Sequence, residues 1–91
     1  MCLCELSSRL NLDKIVGRED GAIPRKYREL IALGVALTTQ CPYCIEVHTK
    51  AAKTAGASRE EITESTFIAA ALRAGGAATH GTMALKFYDR Y

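Results

Sequence analysis

Helix punctuation is the feature that most restricts how this sequence can fold. Proline occurs only at Pro24 and Pro42, and each precedes a run whose apolar residues recur every three or four positions. Proline suits the first helical turn, where its missing N–H costs nothing. After Pro24, Leu30, Leu33, Gly34 and Leu37 fall at helical spacing, Ile31 widens the apolar face, and Thr38-Thr39-Gln40 marks an exit. Pro42 opens a second helix to about Ala55, and Gly56 supplies a left-handed stop. Ser58-Arg59-Glu60-Glu61 matches the S-x-x-E capping box ahead of Ile62, Phe67, Ile68 and Leu72. Gly75-Gly76 is expected to end that helix, and residues 77 to about 88 to form a last one. Upstream, Glu5 to about Val16 is a short amphipathic stretch with Leu6, Leu10, Ile15 and Val16, broken by Gly17-Arg18-Glu19-Asp20-Gly21. No alternating Val/Ile/Thr run with an Asn-Gly turn signals a hairpin. The expected class is all-α: a bundle of about five helices.

Size and charge narrow the functional classes. A chain of 91 residues is expected to be one domain over residues 1–91, and area scaling gives it roughly 5,200 Å² of folded surface against roughly 14,400 Å² extended. With 48% hydrophobic and 24% charged residues and a mean hydropathy of −0.01, it is not disordered or of low complexity. No apolar run reaches the roughly 18–20 residues that span a bilayer, and no basic segment followed by an apolar stretch opens the chain. A soluble, cytoplasmic protein without a membrane partner is expected. Twelve Lys and Arg against ten Asp and Glu leave +2, too even for a nucleic-acid footprint. The densest basic stretch, Arg25-Lys26-Tyr27-Arg28, reads as the exposed first turn of a helix.

The four cysteines form two tight clusters, Cys2 with Cys4 near the N-terminus and Cys41 with Cys44 in mid-chain. A secreted scaffold spreads its staples across the fold, so a lone C-x-x-C here points to redox or metal chemistry. Cys2 and Cys4 read as tail residues without a role. Residues 30–37 also read as a buried strand leading into Cys41, as in a thioredoxin-like fold, and Cys41-Pro42-Tyr43-Cys44 is the tetrapeptide that glutaredoxins carry. That fold sets a cis-proline beside the disulfide, well downstream of the motif. No proline follows Pro42, which argues against this alternative.

Cys41, Cys44 and His48 are spaced i, i+3, i+7, which places them within about 60° of one another on one helix face. Two thiols three apart can close a small disulfide ring, and the positive end of the helix favours thiolate at Cys41. A base one turn after Cys44 is placed to activate it, because the thiolate is the nucleophile. Such a histidine needs a group to hold its tautomer. Glu29, on the apolar side of the preceding helix, is the better candidate; Glu46 is nearer in sequence but points off the Cys/His face.

Glu29, then Cys41 twelve residues later, then C-x-x-C-x-x-x-H through His48 resembles the AhpD-like branch of the carboxymuconolactone decarboxylase superfamily. The surrounding "RELIALGVALTTQCPYCIEVHTKAAKTAGASREEITE" is similar to that family's two core helices and the start of the next, and the likeness covers about residues 20–90. It implies an all-helical fold with the C-x-x-C at the N-terminus of a central helix, assembled as homo-oligomers, either trimers or hexamers. It also implies a thiol-dependent peroxidase or disulfide reductase acting on hydroperoxides. Cys41 and Cys44 would cycle between dithiol and disulfide, Glu29 and His48 would relay protons to Cys44, and a dithiol or protein reductant would restore the pair. No cofactor or metal is implied. The longer pattern has a second histidine ten residues after the first, where this sequence has Ser58. The namesake decarboxylases share the fold but do not depend on a C-x-x-C.

Plainer readings stand beside these. Cys41, Cys44 and His48 could supply three zinc ligands with Glu29 or His80 as a fourth, although they lie on two turns of one helix rather than across a loop. A non-catalytic oligomeric module of the same fold is a further class, and a decarboxylase-like lactone enzyme another. Glu29 could simply pair with Arg25 or Arg28, and His80 could pack or cap a helix.

Overall fold

The structure, a computed structural model, describes residue 12 and residues 14–91. Residues 14–17 are helical, and three long helices follow: α1 (Arg25–Thr39), α2 (Pro42–Thr54) and α3 (Arg59–Arg90). Among the described residues there is no strand.

Local chemistry sets most of the boundaries. Pro24 caps α1 from just outside it, its carbonyl accepting the Arg28 N–H at 3.0 Å. Gln40, at φ 59°, ends α1 in the left-handed region, and the Cys41 N–H returns to the Ala36 carbonyl at 3.2 Å. Pro42 then opens α2 at its first position. Gly56, at φ 99°, closes that helix in a conformation that L side chains avoid, and the Ala57 N–H reaches back to the Ala52 carbonyl. The capping box at α3 is complete: the Glu61 N–H donates to Ser58 Oγ at 3.0 Å, and the Ser58 N–H donates to Glu61 Oε1 at 2.8 Å.

One boundary differs from expectation. Gly75-Gly76 does not end a helix; α3 runs through it for 32 residues, roughly 48 Å at 1.5 Å per residue. The last two predicted helices are therefore one. A helical glycine costs about 1 kcal/mol relative to alanine but leaves the α conformation open, and here alanines flank the pair with no proline to break the ladder.

α1 is the helix that packs on both others. One side of it buries Glu29, Leu33 and Ala36. Its other side faces α3, where Ser65 Oγ donates to the Leu30 carbonyl at 3.0 Å and lies 3.6 Å from where a Cβ on Gly34 would stand. The buried apolar core is small: Leu33, Ala36, Ala52 and Ala69. The approach to α1 is held by Arg28, which donates to the carbonyls of Val16, Arg18 and Ile23. Gly21 makes room for that guanidinium, since a Cβ there would collide with it.

Candidate functional site

The site lies where α2 begins, against the inner side of α1. Cys41 is the N-cap residue of α2, extended at φ −101°, and its sulfur accepts the Cys44 N–H at 3.3 Å. A sulfur at this position receives a backbone donor and the positive end of the helix together, and both favour the thiolate. Cys44 lies in the first turn and is half-buried, as is Cys41. Tyr43, between them, is exposed at the mouth of the motif.

One turn further along α2, His48 Nδ1 meets Glu29 Oε2 at 2.7 Å. The carboxylate reaches across from α1 and is only 2% exposed, while the imidazole is 13% exposed. A carboxylate accepts hydrogen bonds and cannot donate them, so this contact assigns the Nδ1 proton to His48 and leaves its Nε2 lone pair available. A buried carboxylate survives only with a partner, and the imidazole is that partner.

The alternatives for these residues resolve as follows. Arg25 pairs with Glu19 at 2.6 Å, and Arg28 is occupied by backbone carbonyls, so neither is the partner the structure gives Glu29. Glu46 lies 3.6 Å from Lys50 along the outer face of α2. His80 is exposed on α3 with its Nδ1 3.0 Å from the Gly76 carbonyl, remote from packing. Among the described residues, no three His, Cys, Asp or Glu side chains converge as a metal site. Cys2 and Cys4 lie outside the described residues. The capping role of the Cys41 sulfur was not anticipated from sequence, although a residue directly before a proline at the first helical position is the natural N-cap.

No helix among the described residues is long and apolar enough to cross a membrane.

Comparison with known proteins places this arrangement in a family. A chain from Paracoccus denitrificans, named only as an uncharacterized protein in the cox locus, is 46% identical over 80 residues, covering 88% of this chain and 71% of its own. An uncharacterized protein of Cupriavidus necator is 32% identical over 71 residues, covering 78% of this chain and 63% of its own. The fold is similar to a carboxymuconolactone decarboxylase family protein from Legionella pneumophila, with a TM-score of 0.65 and 29% identity over 98% of this chain and 80% of that one. The model of the carboxymuconolactone decarboxylase family matches residues 7–87. With four-fifths and more of its length inside that match, the chain belongs to the carboxymuconolactone decarboxylase family.

Proposed function

We propose that this chain is a thiol-dependent peroxidase of the AhpD-like kind, reducing hydroperoxides through a Cys41–Cys44 dithiol–disulfide cycle. The observation that carries the reading is the buried Glu29 carboxylate on His48 Nδ1, one turn from the C-x-x-C. Packing alone has no use for a carboxylate in that place; a base that must be held in one tautomer does.

The chemistry balances within the pair and one external reductant. A thiolate attacks the outer peroxide oxygen, the O–O bond breaks, and the departing alkoxide takes a proton to leave as alcohol. The resulting sulfenic acid is attacked by the other cysteine, an S–S bond forms, and water leaves. A dithiol or a protein thiol then reduces the disulfide by exchange. His48 Nε2 takes the thiol proton at the start and returns one to the leaving oxygen, while Glu29 stabilises the imidazolium formed between these steps. Homo-oligomeric assembly belongs to the same proposal.

Intact mass after brief exposure to an organic hydroperoxide tests it. A loss of about 2 Da, mapped to Cys41–Cys44 and reversed by dithiothreitol, is the expected result. Unchanged mass with both thiols alkylatable would remove the peroxidase reading. The order of attack follows from Cys41→Ser and Cys44→Ser, because the variant that keeps the attacking cysteine accumulates a sulfenic acid trappable by dimedone.

A further inference from the structure

The second half of α3 is out of place as a solvent-exposed helix. Every residue from 70 to 90 is exposed, yet in 70–85 the one Lys, Arg, Asp or Glu is Arg73. That arginine is turned back to the Thr38 carbonyl. A helix apolar on all sides belongs in an interior. Three glycines, Gly75, Gly76 and Gly81, add a cost of about 1 kcal/mol each, and nothing in this chain approaches within 4 Å of where their Cβ atoms would be. Their smallness is unused within one copy.

The proximal half of α3 shows the complementary deficit. Together with α1 it walls an open apolar groove of about 510 Å³, in which Ile31, Val35, Ile68 and Leu72 stand 54–68% exposed. Glu61 and Glu64 lie at the end of this groove nearest the start of α3.

We infer that the occupant of this groove is the distal half of α3 from a second copy, the two α3 helices crossing antiparallel about a two-fold axis at Gly75–Gly76. The argument is the self-complementarity of one face. At 100° per residue, Glu61, Ile68, Leu72, Thr79, Met83, Lys86 and Arg90 fall within about 60° of one another, with Glu64 at the edge. Reflected about the Gly75–Gly76 bond, Leu72 meets Thr79, Ile68 meets Met83, and Glu61 meets Arg90, while Glu64 comes level with Lys86 and Phe87. The acidic end of each face thus lies on the basic end of the other, and apolar residues meet between them. The two glycines sit at the crossing, where bare backbone allows the closest approach. An isologous interface requires this kind of match between a surface and itself.

The area is also adequate. An arm of 22 residues is about 33 Å long and 10–12 Å wide, so one arm and one groove bury roughly 700–800 Å² per copy, the size of a standard stable interface. This pairing is independent of the thiol chemistry. It yields dimers, or hexamers if a three-fold contact is added, and is incompatible with a bare trimer.

Sedimentation of the full chain at tens of micromolar tests the pairing, with circular dichroism as the check on folding. The expected mass is two chains or a multiple of two. Met83→Glu is expected to raise the dissociation constant at least about 30-fold. Lys86→Glu is expected to weaken pairing about tenfold, and combining it with Glu64→Lys to restore it, since the register places opposite charges at these levels. A single-chain mass, a trimer, or an assembly indifferent to Met83→Glu would overturn the inference and assign the face to a different partner. Failure of Glu64→Lys to rescue Lys86→Glu would overturn the register.

Discussion

Glu29 and His48 are nineteen positions apart in the sequence and 2.7 Å apart in the structure. The carboxylate is carried by α1 and the imidazole by α2, so the contact exists only because these helices pack on each other. Glu29→Gln keeps the side-chain shape but removes the charge that orients the imidazole. Thiol-dependent peroxide consumption is expected to fall about 10–100-fold, the usual cost of losing such an orienting partner. The rate–pH profile of the variant should move to higher pH, because Cys44 would deprotonate less readily. A profile unmoved by Glu29→Gln, with the rate intact, would refute the relay.

Removing His48 has a structural cost as well. His48→Ala leaves a nearly inaccessible carboxylate without its partner, a change that typically costs about 3–5 kcal/mol. Chemical denaturation should show that loss, and the double variant Glu29→Gln/His48→Ala should recover a large part of it. Recovery separates the buried charge from any general damage to α2.

Leu33 supports the same contact from within α1, one turn after Glu29, and is 2% exposed. Leu33→Ala is expected to cost about 2–5 kcal/mol through lost burial and the cavity left behind. In a chain with four buried apolar residues among those described, much of the stability is at stake, and the urea midpoint should drop accordingly.

The start of α3 gives a pH dependence of known sign. The Glu61 carboxyl is held below its ordinary value of 4.5, first by the Ser58 backbone N–H and next by Lys26 at 3.0 Å. The lowered value means that this contact stabilises the fold above about pH 4.5 and is lost as pH falls through the folded-state value. Lys26 is raised above 10.5, mainly by the same Glu61, so its share is present below that pH and lost above it. Ser58→Ala should lower stability by about 1 kcal/mol near neutrality. Glu61→Gln should flatten the acid limb of a plot of thermal midpoint against pH.

Gly21 gives a test away from the site. A Cβ there collides with the Arg28 guanidinium that gathers three carbonyls upstream of α1. Gly21→Ala should release that clamp and cost about 1–3 kcal/mol, the scale of lost hydrogen bonds to a charged group, with peroxide turnover retained once the variant is folded.

The sequence by itself determined what near neighbours control. Pro42 at the first position of α2, the left-handed Gly56 and the Ser58–Glu61 box mark boundaries through sterics and hydrogen bonds that span at most four residues. For the same reason the spacing of Cys41, Cys44 and His48 placed them on one face before any packing was known. Gly75-Gly76 misled because glycine only weakens a helix, and no local rule decides whether flanking alanines outweigh it. Tertiary structure alone decided that Glu29 would meet His48 rather than Arg25 or Arg28, since that choice depends on how α1 lies against α2. It also decided that α1 would bury one side on the cysteine helix and leave the other as an open groove. A sequence shows that a helix face is apolar, but which surface covers it is fixed by the arrangement of whole helices in space.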